Sequence, residues 1–146
     1  MDKKLILDIK IEFNGKTVSL ESGNEAVVMI PFAGYVATGD IFTGIVEPCG
    51  VDTQVVNEAK IRHMSARYML TGKDAEGNDC HIYIENNGFF DEWEGHAALD
   101  PEKPMFRTVP TFITDSPVLK PYLHTRKFLG EGWGKEDGLH ILFYEV

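Results

Sequence analysis

Apolar and polar positions alternate along most of this chain. In residues 4–13, Leu5, Leu7, Ile9, Ile11 and Phe13 fall on one face. Lys4, Asp8, Lys10 and Glu12 fall on the other, with Ile6 out of phase. A period of two marks a half-buried strand. Asn14-Gly15 follows at once, a strong hairpin-turn signal, so Lys16 to Glu21 is expected to return as the partner strand. Ala26 to Phe32 reads as an apolar strand with Pro31 marking an edge or a bulge. Tyr35 to Val46 is a strand pattern interrupted by Gly39 and Gly44, and Val51 to Asn57 resumes after a Pro48-Cys49-Gly50 turn. Ile61 to Thr71 and Cys80 to Asn87 form a hairpin pattern around a polar turn from Gly72 to Asn78. A long polar loop is expected over 91–105. Phe106 to Thr114, Lys127 to Gly130 and Leu139 to Val146 supply the last strands.

Helical periodicity is weak. No segment longer than about ten residues carries an i, i+3, i+4 stripe, and only short helical turns are expected, near Asn57 to Ala59 and over Ser116–Leu123. Strands recurring every roughly 8–12 residues with turn signals between them predict an all-β sandwich or barrel. Closure removes exposed sheet edges. The expectation is one domain over 1–146, a single antiparallel β-barrel of about eight to ten strands, wide enough to hold one small ligand.

Composition narrows the partners. The 146 residues carry 14 basic and 23 acidic side chains, a formal net charge of −9. An acidic chain without a basic block is a poor match for nucleic acid or an anionic membrane surface. No apolar run approaches the roughly 20 residues of a membrane-spanning helix. The charged start of the chain lacks a signal-peptide core, so a reducing cytosol is expected. Cys49 and Cys80 are the only cysteines, too few for a disulfide framework. Cys80 reads as a buried small hydrophobe and Cys49 as a turn residue.

Familiar catalytic signatures are absent: no Gly-x-Ser-x-Gly, no phosphate loop, no His-Glu-x-x-His, no Cys-x-x-Cys. Asp74-x-Glu76-x-Asn78 imitates the start of a calcium loop without its glycine, and reads as a solvated hairpin turn. His63 and His81 are the only histidines with a case for converging, too few for a metal site. No metal and no cofactor is expected. The set with chemical potential is Asp52, Gln54, Arg67 and Asn87. Asp52 and Gln54 share a strand face, and Arg67 and Asn87 sit on two later strands. A carboxylate among apolar walls acts as an acid or base. A guanidinium beside an amide holds an oxyanion or carboxylate. The same residues also suit an ion pair that locks strand register. In 61–71, Met64, Ala66, Tyr68 and Leu70 occupy one face and Arg67, His63, Ser65 and Met69 the other. Sequence leaves open which face lines the lumen, so Tyr68 stays beside Arg67. Three glycines around Trp133 describe a loop able to cover a barrel mouth, and His124 is placed there with it.

Several short motifs recur in an ordered arrangement: Gly44-Ile-Val-Glu-Pro-Cys-Gly50-Val-Asp52-Thr-Gln54, Ala66-Arg67-Tyr68, Asn87-Gly88, Phe112-Ile-Thr114, Tyr122-Leu-His124 and Phe128-Leu-Gly130-x-Gly132. Together they resemble the bacterial and fungal family known as domain of unknown function 3237, over roughly residues 25–146. Cys49, Thr53, Ile113 and His124 depart from its pattern, so no family role is carried onto them. The resemblance implies an antiparallel barrel of calycin-like or allene-oxide-cyclase-like appearance, without an established common activity.

Two functions follow as expectations. In the first, the barrel binds a small organic acid or carbonyl compound in its interior. If it turns that molecule over, the chemistry is a cofactor-free isomerisation, cyclisation or lyase step. Asp52 and Arg67 are then the reacting groups, and Gln54, Tyr68, Asn87, His124 and Trp133 bind the ligand. In the second, the chain is a non-catalytic structural or interaction module. A homo-oligomer is expected in both.

Overall fold

The computed structural model describes residues 3–91 and 102–146, so most of the loop expected over 91–105 falls outside the described residues. The strands are β1 (Lys4–Phe13), β2 (Val18–Ser22), β3 (Glu25–Thr38), β4 (Phe42–Val56), β5 (Ile61–Asp74), β6 (Asp79–Asp91), β7 (Phe106–Thr114), β8 (Phe128–Lys135) and β9 (Gly138–Glu145). Among the described residues one short helix, α1 (Lys120–Leu123), precedes β8. The sheet runs β1-β9-β8-β7-β6-β5-β4-β3-β2, and an added β1–β3 pairing closes eight of these strands into an antiparallel barrel. β2 stands outside the closure as an extra strand on β3.

The barrel departs from the expected pairings in two places. Asn14-Gly15 does not fold β1 back on β2. The free edge of β1 is taken by the C-terminal half of β3, with Ile11 opposite Gly34 and Phe13 opposite Phe32. That long-range pairing buries Ile9 and Ile11 in the core, whereas all of β2 is exposed. Burial therefore outweighs local turn chemistry. Pro48-Cys49-Gly50 is also not a turn between strands. It is a register shift inside one continuous β4, between Val46 and Val51. A bulge there re-aims the residues that follow.

The interior divides into two halves. One is packed solid. Leu7, Ile9, Leu70, Ile82, Ile84 and Phe143 are fully buried in it, and Phe112 meets Phe128 and Phe143 edge to face at centroid distances of 5.1 and 5.3 Å. Each such side chain contributes about 1.5–3 kcal/mol by leaving water. Leu119 and Leu123, on and beside α1, join this cluster. Pro121 sits in the first helical turn, where its missing N–H costs nothing. The β5–β6 turn is fixed by Asp74, whose Oδ1 accepts the Glu76 and Asn78 N–H groups at 3.0 Å. Asp74 Oδ2 accepts the Ser116 hydroxyl at 2.7 Å. The other half of the barrel is left with a cavity.

Candidate functional site

The cavity is walled by alternate residues of neighbouring strands. On β4, Asp52 lies opposite Ala66 of β5, and Gln54 opposite Met64. Ala66 lies opposite Asn86 of β6, and Tyr68 opposite Ile84. Gly88 lies opposite Thr108 of β7. Because side chains alternate along a strand, this register sends Asp52, Gln54, Met64, Ala66, Tyr68, Asn86 and Thr108 inward together. Phe32, Phe106 and Ile141 complete apolar walls around a cavity of about 50 Å³, which reaches the surface beside Phe13.

Its polar lining is unusual. Asp52 Oδ1, the Tyr68 hydroxyl, Asn86 Oδ1 and Thr108 Oγ1 are all shielded from solvent, and none has a hydrogen-bond partner in the protein. Tyr68 is 3% exposed, Asn86 4% and Thr108 5%. A buried polar atom without a partner costs about 1–3 kcal/mol, so a cluster of them in one cavity is a standing cost to the fold. A bound molecule able to hydrogen-bond would recover it.

Asp52 is held from behind. Gln54 Nε2 donates to Asp52 Oδ2 at 2.6 Å, and Arg62 Nη1 donates to Gln54 Oε1 at 2.8 Å. The Arg62 guanidinium thus reaches Asp52 through an amide. Burial raises the Asp52 carboxyl above its ordinary value, against the smaller opposing effects of the Gln54 hydrogen bond and Arg62. Burial and the nearby Asp52 charge also push the Tyr68 phenol far above its usual range. Tyr68 therefore stays protonated at any physiological pH and remains a donor.

The structure brings together three of the residues singled out from sequence, Asp52, Gln54 and Tyr68, and scatters the rest. Arg67 points outward, two-thirds exposed, with Nε 3.6 Å from Glu85 Oε1. The period of β5 gives the reason: Tyr68 and Leu70 face in, so Arg67 faces out. Asn87 is likewise on the outer face, opposite Val109, where its amide donates to Glu85 at 3.4 Å. Its neighbour Asn86 is the luminal amide. His124 follows α1 and accepts the Thr114 N–H at 3.1 Å, lining a separate surface cleft of about 600 Å³ between β7 and β8. Trp133 is part of β8, not of a loop, and donates from Nε1 to Glu131 at 3.0 Å. Its flanking glycines are demanded by packing: a side chain at Gly132 would strike the Phe106 ring, and one at Gly130 the Thr108 hydroxyl. Asn86 and Thr108 were missed, though both continue an inward parity set by Ile82 and Ile84 on β6 and by Phe112 on β7. Among the described residues no group of three or more His, Cys, Asp and Glu gathers to hold a metal ion, and no helix is long and apolar enough to cross a membrane.

These features define a class: a closed antiparallel β-barrel, filled at one end, with a polar-lined cavity at the other. The chain belongs to the family described as protein of unknown function DUF3237, whose pattern matches residues 3–146. A UPF0311 protein of Clostridium acetobutylicum is 35% identical over 99 residues, which are 63% of this chain and 60% of that protein. The chain thus matches less than two thirds of that relative's length. A crystal structure of a protein of unknown function from the same species superposes with a TM-score of 0.76 at 28% identity, over 100% of this chain and 97% of the other. A crystal structure described as an enzyme from Penicillium herquei superposes at 0.68 over 99% of this chain and 93% of the other, and its 12% identity makes that a likeness of fold.

Proposed function

We propose that this barrel binds a small carbonyl-bearing organic molecule in its open half and moves a proton on it without a cofactor. The observation that carries this reading is the set of unpartnered polar atoms on Asp52, Tyr68, Asn86 and Thr108 facing one cavity. Such convergence of polar groups within apolar walls is what ligand sites share. The roles follow from chemistry. With a carbonyl oxygen against the Tyr68 hydroxyl, Asp52 takes a proton from the adjacent carbon. The electron pair moves onto the oxygen, where the Tyr68 hydroxyl, aided by Thr108, stabilises the enolate. In a substrate with a double bond between the β and γ carbons the pair delocalises to the γ carbon, and returning the proton there moves the double bond to the α,β position and completes an isomerisation. A carboxyl whose affinity for protons is raised by burial suits both directions of transfer. Arg67 has no part in this scheme, because it stands on the outer face. A ligand carboxylate therefore lacks its expected guanidinium partner, and the reading shifts from organic acids to carbonyl compounds. The cavity's small volume favours a compact reacting group, with any larger remainder of the molecule extending past Phe13.

The test is native mass spectrometry of the protein purified from its own host, gently and then under denaturing conditions. A small organic molecule should be retained and then released. Asp52→Asn should keep the ligand and lower turnover by about 10²–10⁴-fold, the usual contribution of a positioned acid or base. A protein that is empty, and stays empty after exposure to a metabolite extract of that host, would rule out the ligand site.

A further inference from the structure

The barrel wall opens at one seam that the luminal site does not use. β7 stays paired with β6 as far as Thr114, but its pairing with β8 covers only Phe106 to Thr108 against Gly130 to Gly132. Pro110, which has no N–H to give a ladder, stands at the start of the gap. At the far end of β7 the Thr114 N–H is taken by His124 Nε2 at 3.1 Å instead of by a strand. The gap is the cleft of about 600 Å³, within the roughly 300–1,000 Å³ of small-molecule sites. Because it cuts through the wall, it reaches inward-facing Phe112, Phe128 and Leu123 as well as outward-facing Ile113 and Leu129. Ile113 is 59% exposed and Leu129 38%.

The charge of the cleft is opposite to that of the chain. The protein has 23 acidic residues and a net charge of −9, yet no Asp or Glu lines the cleft, while Arg126, Lys127 and His124 do. The ion pairs of the described residues draw on Lys3, Arg67, Lys73 and Lys135. Arg126 and Lys127 enter none of them. The acid beside the cleft, Glu145, accepts the Tyr122 hydroxyl at 2.5 Å. Since His124 Nε2 accepts a hydrogen bond, its other ring nitrogen carries the proton and is a donor. The cleft thus offers a guanidinium, an ammonium and an imidazole N–H above an apolar floor.

That combination selects its occupant. A cation is repelled, and an uncharged hydrocarbon leaves the donors unused. A polyanion gains nothing from Phe112 and Phe128 and meets the negative field of the rest of the chain. A single carboxylate matches the donors, since its two oxygens accept from Arg and Lys together, and a hydrocarbon body covers the floor.

We propose that the β7–β8 cleft is a second binding site, for a monocarboxylate with a hydrocarbon body, its carboxylate on Arg126 and Lys127 and its body against Phe112 and Phe128. The site stands independently of the luminal reading.

The experiment titrates the full chain with decanoate, below its micelle threshold, and follows backbone amides by NMR and affinity by calorimetry. Saturable binding is expected, with shifts at Thr111, Ile113 and Leu129. Arg126→Ala with Lys127→Ala changes two exposed side chains and should keep the fold, as circular dichroism checks. It should weaken decanoate about ten- to a hundredfold, the worth of hydrogen bonds to a charged group. Decanol, which lacks the charge, should bind more weakly than decanoate and be indifferent to that double variant. Absence of saturable decanoate binding would overturn the proposal. So would shifts confined to the lumen around Tyr68 and Asn86, or a folded double variant that binds decanoate as the wild type does.

Discussion

Two aspartates carry opposite pH signatures. Burial raises the Asp52 carboxyl above 3.8, so the folded chain holds that proton more tightly than the unfolded one. Its contribution to stability is full below pH 3.8 and is lost as pH rises through the higher folded-state value. Asp52→Asn removes this loss. The variant should melt above the wild type at neutral pH and match it in acid, and melting curves across pH check the crossing. Asp74 runs the other way. The Ser116 hydroxyl, the Asn78 amide and two backbone N–H groups hold its carboxyl below 3.8, outweighing its desolvation. That stability is present above 3.8 and disappears as pH falls through the lower folded-state value. Asp74→Asn should therefore lower the melting temperature by several degrees at neutral pH, with the gap closing in acid. Parallel curves for wild type and variant would show that the aspartate in question is not coupled to folding. Asp52 stood out in the sequence because it shares a strand face with Gln54, and the two lie together in the structure. Arg62 did not, since its reach to Asp52 through Gln54 depends on the β4–β5 register.

At the scale of the element, period-two alternation is the signal that held. β1 begins and ends where the pattern does, at Lys4 and Phe13, and the β5–β6 hairpin closes around Asp74 and Gly77 as its turn residues indicate. Parity also contained the luminal set. Ile82 and Ile84 define the inward face of β6, and Asn86 continues it, while Asn87 belongs to the other face. Residue type alone does not separate the two amides; the phase of β6 does. Pairing was less legible. Asn14-Gly15 carries a hairpin signal, yet β1 joins β3 and β9, because long-range burial of Ile9 and Ile11 is worth more than a local turn. The glycines of β8 misled for a related reason. A Gly-rich run reads as a loop when its neighbours are unknown, but Gly130 and Gly132 make room for Thr108 and Phe106 across the strand pair. Gly132→Ala tests this directly. The added methyl displaces the Phe106 ring, and overpacking of this kind costs about 1–3 kcal/mol. Denaturant unfolding should show that loss. Ligand capacity should fall with it, since Phe106 also lines the cavity.

Across the whole molecule, stability and chemistry occupy opposite halves of one barrel. The half beside α1 is filled with Leu7, Leu70, Ile82 and Phe143, all at or near complete burial. The other half keeps polar atoms without partners. A structure selected only to fold would fill both, because apolar side chains of similar volume avoid the penalty of an unpartnered buried group. The asymmetry predicts how substitutions distribute. Leu70→Ala or Phe143→Ala should cost about 2–5 kcal/mol, the range for truncation in a packed core, and should unfold a chain of marginal stability. Asn86→Leu with Thr108→Val should do the reverse in the open half, replacing unpartnered polar atoms with apolar ones of similar size. That double variant should melt at or above the wild-type temperature while losing whatever molecule the cavity holds. Scanning calorimetry reads the first effect and native mass spectrometry the second. If the double variant instead melted well below the wild type, the luminal polar atoms would be structural, satisfied by ordered water and required by the fold. A gain in stability paired with a loss of binding is the trade expected where side chains are kept for a ligand at the expense of the fold.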